Sequence, residues 1–228
     1  MNSVRDSQEQ HIVRAWHANA EPWSRAVRSG GIASRALATD RAVLEALAAH
    51  GAKRVLDVGC GEGWLTRALE ARGLHAVGID MVPALIAHAR ELGGEFHVID
   101  YKDLAAGALP SGPFDAAVCN FSLLGDDSVA GLLRALPKQL VADGRLVIQT
   151  LHPKSACGDL PYEDGWRSGS WQGCGEDFSD PPPWYFRTLE SWHELIERSG
   201  FVLDELSEPA LPGTSTPVSV IFKCRVAS

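Results

Sequence analysis

Short, nearly continuous apolar runs alternate along most of this chain with segments whose apolar residues recur every three or four positions. The runs near 54–59, 75–80, 95–100, 114–120 and 145–151 read as strands. Their unbroken hydrophobicity predicts burial on both faces, as in a parallel sheet covered by helices. The segments 64–72, 83–92 and 127–141 between them read as helices, with Pro83 in a first turn and Gly73, Gly93, Gly94 and Gly144 at helix ends or turns. Strand and helix therefore alternate in the βαβ manner, which predicts an α/β fold with a doubly wound, Rossmann-like sheet.

The flanks break this rhythm. Residues 1–50 read as a helical N-terminal extension. One helix runs over 7–18 with Ile12, Val13 and Trp16 at helical spacing, and a second over 34–50 with Leu37, Val43, Leu44 and Leu47 on one stripe. Between them, Pro22 predicts a turn over 19–23 that carries Trp23. Residues 153–187 are rich in Gly, Pro, Ser and aromatic residues, and a loop of that length in a compact domain is a functional lid or disordered. Its aromatic density favours an ordered lid inserted after strand five. Residues 188–228 then supply a helix (188–199, stopped by Gly200) and two strands, 201–207 and 218–226, read as an antiparallel hairpin. Five core strands and this pair predict a seven-stranded, mostly parallel sheet whose last strand is antiparallel.

Composition narrows the function classes. The length of 228 residues fits one domain with elaborations. A net charge of −8, with scattered Lys and Arg, argues against a nucleic-acid groove and puts a small-molecule partner ahead of RNA or DNA. No apolar run reaches the roughly 18 residues of a membrane helix, and no secretory signal is apparent, so neither membrane nor export is expected. The five cysteines are odd in number and lack C-x-x-C spacing, which points to no metal site and no disulfide framework, and to a reducing cytoplasm. No feature sets an oligomeric state.

The chemistry concentrates at 54–63, Arg-Val-Leu-Asp-Val-Gly-Cys-Gly-Glu-Gly, and at Asp80, which ends the second apolar run. Strand, glycine-rich turn, helix, strand and acidic residue make the nucleotide-binding end of a doubly wound sheet. A dinucleotide turn needs a third glycine where this chain has Trp64, so an NAD-dependent oxidoreductase is disfavoured. Gly59, Gly61 and Gly63 instead suit a ligand whose uncharged portion passes close to bare backbone.

Asp57-Val-Gly-Cys-Gly-Glu-Gly63 followed by Gly78-Ile-Asp80 resembles motif I and its acidic partner in class I S-adenosylmethionine-dependent methyltransferases. His97-Val-Ile-Asp100 resembles that family's third strand, Phe114 to Asn120 its fourth, and Leu140 to Gln149 its glycine turn and fifth strand. The likeness covers residues 35–152 well and 188–226 more loosely. It implies a cofactor-binding core at 51–152, a helical cap at 1–50, an aromatic lid at 153–187, and a C-terminal segment (188–228) completing the same domain.

The resemblance assigns S-adenosylmethionine to Asp57, Gly59, Cys60, Gly61, Gly63, Asp80, Met81, Asp100, Tyr101, Asn120 and Phe121. Asp80 would take the ribose hydroxyls, the alternative being a helix N-cap. Asp100 would take the adenine amino group, with a cap again the competitor, and Met81 the adenine face. Asp57 would orient the turn or the ligand's amino group. Asn120 and Phe121 would lie beside the methyl group. His152, ending a core strand next to the lid, is the candidate general base, against a strand-end histidine before Pro153. Trp23, Tyr162, Trp166, Trp184 and Tyr185 are candidates for the acceptor wall, with Trp171, or for the lid's own core. The activity implied is O- or N-methylation of a planar or apolar small molecule. A non-catalytic protein binding S-adenosylmethionine or S-adenosylhomocysteine, and methylation of RNA or protein, are the alternatives.

Overall fold

The computed structural model describes residues 2–48, 51–109 and 111–227, with side chains from residue 6 onward. Strands β1 (Arg54–Val58), β2 (His75–Asp80), β3 (Glu95–Val98), β4 (Phe114–Asn120) and β5 (Leu140–Leu151) are mutually parallel. A separate two-stranded ribbon, β6 (Gly165–Arg167) with β7 (Trp184–Phe186), lies in the insertion. The chain closes with β8 (Phe201–Ser207) and β9 (Ser219–Val226). β9 slots antiparallel between β5 and β8, giving one seven-stranded sheet in the order β3-β2-β1-β4-β5-β9-β8. The order reverses between β1 and β4, and in open α/β sheets ligands bind beyond the strand ends at such a point.

Helices cover both faces, which is why the strand runs are apolar throughout. α3 (Asp40–Ala48), α4 (Trp64–Glu70) and α5 (Pro83–Glu91) lie on one side, where Val43, Leu47, Leu65 and Leu69 meet Val55, Ala116, Val118 and Val147. On the other side lie α6 (Tyr101–Ala105), α7 (Asp127–Ala135) and α9 (Leu189–Arg198). There Leu132, Leu133, Trp192 and Ile196 meet Leu56, Val58, Phe114, Leu146 and Phe222. Neighbouring strand residues alternate between these two clusters, as the pleat requires. Each such buried aliphatic side chain contributes roughly 1.5–3 kcal/mol relative to exposure.

Several expected boundaries shift, each for a local reason. The N-terminal segment is two helices, α1 (Asn2–Ala18) and α2 (Ala20–Arg28), so Trp23 lies on a helix and not in a turn. Pro22 falls in the first turn of α2, where its missing N–H costs no hydrogen bond. The expected helix from Ser34 begins as a π-helical turn, Arg35–Thr39, before α3, and its expected end at His50 lies outside the described residues. The expected helix 127–141 stops as α-helix at Ala135, because Pro137 tightens the chain into a 3-10 turn. β5 therefore begins at Leu140 rather than 145. Strand three ends at Val98, which leaves Asp100 outside it as the N-cap of α6. The insertion is ordered by a short helix, α8 (Pro153–Ala156), and the β6–β7 ribbon.

Candidate active site

The turn after β1 is built from backbone that only glycine adopts easily. Gly59, Gly61 and Gly63 have φ of 73°, 58° and 83°. A Cβ on Gly59 would collide with Ser122, whose hydroxyl donates to Val58 O from the loop after β4 (2.7 Å). A Cβ on Gly63 would strike the Phe96 ring. The turn is thus pressed from behind by protein and leaves bare backbone in front.

Asp80 holds that turn open. Its Oδ2 accepts from Gly61 N–H (3.0 Å) and its Oδ1 from Val82 N–H (2.8 Å). Val82, not Asp80, is the N-cap of α5, so the capping alternative is not what the carboxylate does. A carboxylate has about four acceptor positions, so Asp80 keeps capacity beyond these backbone donors. Burial pushes the Asp80 carboxyl above its ordinary pKa, against the backbone donors of Val82 and Gly61. Asp57, buried behind the turn, accepts from the Thr66 hydroxyl of α4 at 2.8 Å. Burial lifts its pKa to about 7, the Thr66 bonds opposing and the charges of Asp80 and Glu62 adding to the rise.

Asp100 does act as a cap, accepting from Asp103 N–H at 2.7 Å, while also lining the cavity described below. Tyr101 donates to Ser122 O (2.9 Å), and burial raises its phenol pKa. At the end of β4, Phe121 adopts a left-handed φ of 53° and the Asn120 side-chain oxygen is buried without a hydrogen-bond partner. A left-handed bulky residue is a strained one, and such strain gathers at functional sites.

These elements floor a cavity of about 1420 Å³ beyond the carboxyl ends of the strands. Its roof is made by two segments far apart in sequence. From α1 and α2 come Trp16 and Trp23, packed edge to face (5.1 Å between centroids). From the insertion come Trp171, edge-on to Trp16 at 5.5 Å, and Phe178 beneath it. The segments grip one another through Asn19, whose side-chain amide both donates to Ser179 O (2.7 Å) and accepts from Ser179 N–H (2.9 Å). Arg25 pairs with Asp177 (2.9 Å) and His11 with Asp180 (2.8 Å). Glu9 of α1 reaches down to the start of α7, accepting from Asp126 N–H (2.8 Å) and the Ser128 hydroxyl (2.7 Å). Arg187, after β7, donates to Gly125 O and Asp126 O and stacks over Tyr185 and Trp192. Burial pulls its guanidinium pKa down, with Asp126 opposing.

The expected site residues sort cleanly against this cavity. Gly59, Cys60, Gly61, Asp80, Met81, Asp100, Tyr101, Asn120, Phe121, Trp23, Trp184 and Tyr185 line it, and Trp171 with them. Asp57 and Gly63 stand behind its wall. His152 does not line it: the ring is buried, with Nε2 against Glu208 Oε1 at 2.7 Å. Pro153 starts α8 and so makes His152 a helix N-cap, its carbonyl accepting from Ser155 and Ala156 and its ring turned into the protein. Among the described residues, no histidine lines the cavity. Tyr162 also fails the wall assignment, its hydroxyl accepting from Leu189 N–H while its ring packs on Phe186. Trp166 packs edge-on behind Tyr185. Both serve the lid's own core. Sequence reasoning missed Trp16, Glu9, Arg35, Thr39 and Arg187 as lining residues. A tryptophan on a polar N-terminal helix was the one signal available for Trp16; the others carry none.

Comparison with known proteins agrees with this geometry. A family model described as a methyltransferase domain matches residues 32–206. A ubiquinone biosynthesis O-methyltransferase of Xylella fastidiosa is 40% identical over 103 residues, 43% of this chain and 42% of that protein. The chain thus spans less than half the length of such relatives. Among solved structures, an S-adenosylmethionine-dependent methyltransferase from Mesorhizobium loti superposes with a TM-score of 0.61 at 23% identity, covering 81% of this chain and 96% of that one. The 1,6-didemethyltoxoflavin-N1-methyltransferase of Burkholderia thailandensis, solved with 1,6-didemethyltoxoflavin and S-adenosylhomocysteine, gives 0.62 at 18%, covering 95% and 85%. At these identities the structural likeness is one of fold.

Proposed function

The chain belongs to the class I S-adenosylmethionine-dependent methyltransferases, and from that premise we propose that it transfers the cofactor's methyl group to oxygen or nitrogen of a planar, largely apolar small molecule. One observation carries the proposal: a single cavity runs from the glycine turn and Asp80 to an aromatic wall of Trp16, Trp171, Trp184 and Tyr185. Its 1420 Å³ exceeds the roughly 300–1,000 Å³ of a pocket for one drug-sized ligand, so cofactor and acceptor fit side by side. One relative is named a ubiquinone biosynthesis O-methyltransferase, and one structure of like fold is named a 1,6-didemethyltoxoflavin-N1-methyltransferase.

The residues fit the cofactor. Gly59 and Gly61 line the cavity with backbone that carries no side chain of its own, Asp80 keeps acceptor capacity at a strand end, and Asn120 presents an unsatisfied oxygen. In this reading Asp80 holds the ribose hydroxyls, Asp100 and Met81 the adenine, and Asp57 fixes the turn from behind through Thr66. When bound, the cofactor supplies an activated methyl donor. The protein's part is then alignment and exclusion of water. The Trp16–Trp171 roof closes the cavity over the acceptor, and the loop from Asn120 to Leu124, held by Tyr101 and Arg187, fixes where the nucleophile meets the donor. Among the described residues no histidine lines the cavity, so in this reading the acceptor arrives as a free amine or an acidic hydroxyl, or gives its proton to water or to a lining carboxylate such as Glu9. The insertion 153–187 is the lid, and the unpaired thiols suit a reducing cytoplasm.

Calorimetric titration of S-adenosylhomocysteine, with NAD as control, tests the cofactor. Micromolar binding that is lost in Asp80→Ala is expected. A labelled-methyl screen of small-molecule, polypeptide and RNA fractions tests the acceptor. Label confined to polypeptide or RNA overturns the small-molecule reading, and tight cofactor binding with no transfer to any fraction makes the protein a non-catalytic binder.

A further inference from the structure

Four residues lining the cavity carry a buried polar atom with no hydrogen-bond partner among the described residues: Arg35 (Nη1), Thr39 (hydroxyl), Asn120 (side-chain oxygen) and Arg167 (Nε). Buried polar atoms are nearly always paired. The first three stand toward the glycine turn, where Arg35 lies over Trp64 and Asn120 ends β4. Arg167 stands apart from them, on β6 in the insertion.

The surface around Arg167 begins where β5 ends. Thr150 and Leu151 of β5, Ala156 of α8, then Leu160, Arg167 and Trp184 line the cavity there. β5 is two strands from β1, about 10 Å at ordinary strand spacing, so this wall is displaced along the sheet from the glycine turn. Among the lining residues from Thr150 to Tyr185, Arg167 is the one charged side chain. The lining acids lie elsewhere: Asp80 and Asp100 beside the turn, and Asp6, Glu9 and Asp127 on α1 and α7.

Arg167 is half-buried and held in place. Its Nη2 donates to Pro161 O (2.6 Å) and Glu163 O (3.1 Å), and its guanidinium lies 4.9 Å from the centroid of the buried Phe186 ring. The ribbon pairs Arg167 with Trp184, which puts both side chains on one face. Tyr185 N–H donates to Leu124 O (2.7 Å) and so ties that ribbon to the loop after β4. These hydrogen bonds use Nη2 alone and go only to main-chain carbonyls. Among the described residues Nη1 makes no hydrogen bond and the side chain makes no ion pair. A fixed cation without a counter-charge, beside an indole on an otherwise uncharged wall, suits a carboxylate carried on a flat apolar frame.

We propose that Arg167 determines acceptor specificity by binding a carboxylate at the end of a planar acceptor remote from the methylated atom, with Trp184 packed on the frame. This rests on the small-molecule reading above and narrows it to planar acids. The carboxylate is then a handle and not the nucleophile, because Arg167 stands on the β5 side and the donor on the β1 side; the methyl group goes to a hydroxyl or amine at the acceptor's other end.

The test uses 3-hydroxybenzoate, 6-hydroxy-2-naphthoate and a hydroxyquinoline carboxylate, each paired with its own neutral primary amide. They are titrated calorimetrically into wild type, Arg167→Gln and Arg167→Lys, all saturated with S-adenosylhomocysteine. At least one acid should bind wild type roughly ten- to hundredfold more tightly than its amide, as a charge-assisted hydrogen bond allows. Arg167→Gln should erase that preference while amide binding stays within about threefold, and Arg167→Lys should keep part of it. The amide also controls for the lid. If losing the bonds to Pro161 and Glu163 merely loosens the insertion, acid and amide weaken together, and that result overturns the subsite. So does a wild type that binds no acid of the panel better than its amide. Either result leaves S-adenosylhomocysteine binding, and the cofactor reading, intact. Label confined to polypeptide or RNA in the screen above overturns the small-molecule reading itself, and the subsite with it.

Discussion

The glycine turn and the roof close the same cavity, yet they are held in opposite ways. At the turn the partners are close in sequence and mostly backbone: Gly61 N–H and Val82 N–H on Asp80, with Thr66 on Asp57 nine residues away. In the roof every bond uses at least one side chain and joins segments more than a hundred residues apart, Asn19 on the Ser179 backbone, Arg25 on Asp177 and Glu9 on Ser128. A ligand that never changes can be met by fixed backbone. An acceptor that differs from one family member to the next has to be met by side chains brought together by the fold.

The largest expected effect strikes the backbone side. Gly59→Ala forces a Cβ into Ser122 at a φ of 73°. Left-handed strain and overpacking together cost about 2–4 kcal/mol of stability by denaturant unfolding, and S-adenosylhomocysteine binding is lost. A Gly59→Ala protein of normal stability and affinity would show that the turn is not the rigid element the comparison makes it. Next in size is Asp80→Asn, which keeps one acceptor oxygen for the backbone and removes the charge. It is expected to weaken S-adenosylhomocysteine roughly ten- to hundredfold and to cost about 1–3 kcal/mol of stability, because either Gly61 N–H or Val82 N–H loses its acceptor.

The same contrast explains what could be read from the chain. The seven strands and the glycine turn were legible because apolar period and glycine spacing are local signals, and the lining role of Asp80, Asp100, Asn120 and Phe121 followed from their places at, or one or two residues past, strand ends. His152 was misplaced because strand-end position says nothing about which way a ring turns once Pro153 starts a helix there. For Tyr162 and Trp166 the chain left the acceptor wall and the lid's own core both open, because aromatic density marks a lid without saying which rings face in. Arg35 and Glu9 looked like ordinary helix charges. What makes them notable, an orphan Nη1 and a reach of 117 residues to Asp126, exists only in three dimensions.

A smaller effect should separate the two regions. Asn19→Ala removes the amide that satisfies both Ser179 N–H and Ser179 O. The roof is then held less tightly by about 1–3 kcal/mol. Limited proteolysis within residues 168–180 and amide exchange at Ser179 should quicken, while exchange in β1, β2 and β4 is unchanged. S-adenosylhomocysteine affinity should move no more than about threefold, since the cofactor end has its own supports. If affinity collapses with the roof, the two regions are one cooperative unit.

The smallest effect concerns charge behind the turn. With its pKa lifted to about 7 by burial, Asp57 holds a proton in the folded protein that it gives up near pH 4 when unfolded. The folded state binds more protons in that interval, so this group's contribution to stability is fully present below pH 4 and is lost as pH rises through about 7. Asp57→Asn keeps an oxygen for the Thr66 hydroxyl and cannot titrate. The stability of the variant minus that of wild type should therefore grow between pH 4 and 7 and level off above. The ligand's ammonium would favour the ionised carboxylates, so S-adenosylhomocysteine binding near neutral pH should release protons from wild type. Calorimetry in buffers of different ionisation enthalpy reads that release, and Asp57→Asn should reduce it. A pH-independent stability difference, with equal proton release in both proteins, would mean that Asp57 is ionised throughout. The buried carboxylate would then be a permanent negative charge under the turn, attracting a cationic cofactor at every pH and adding no pH dependence of its own.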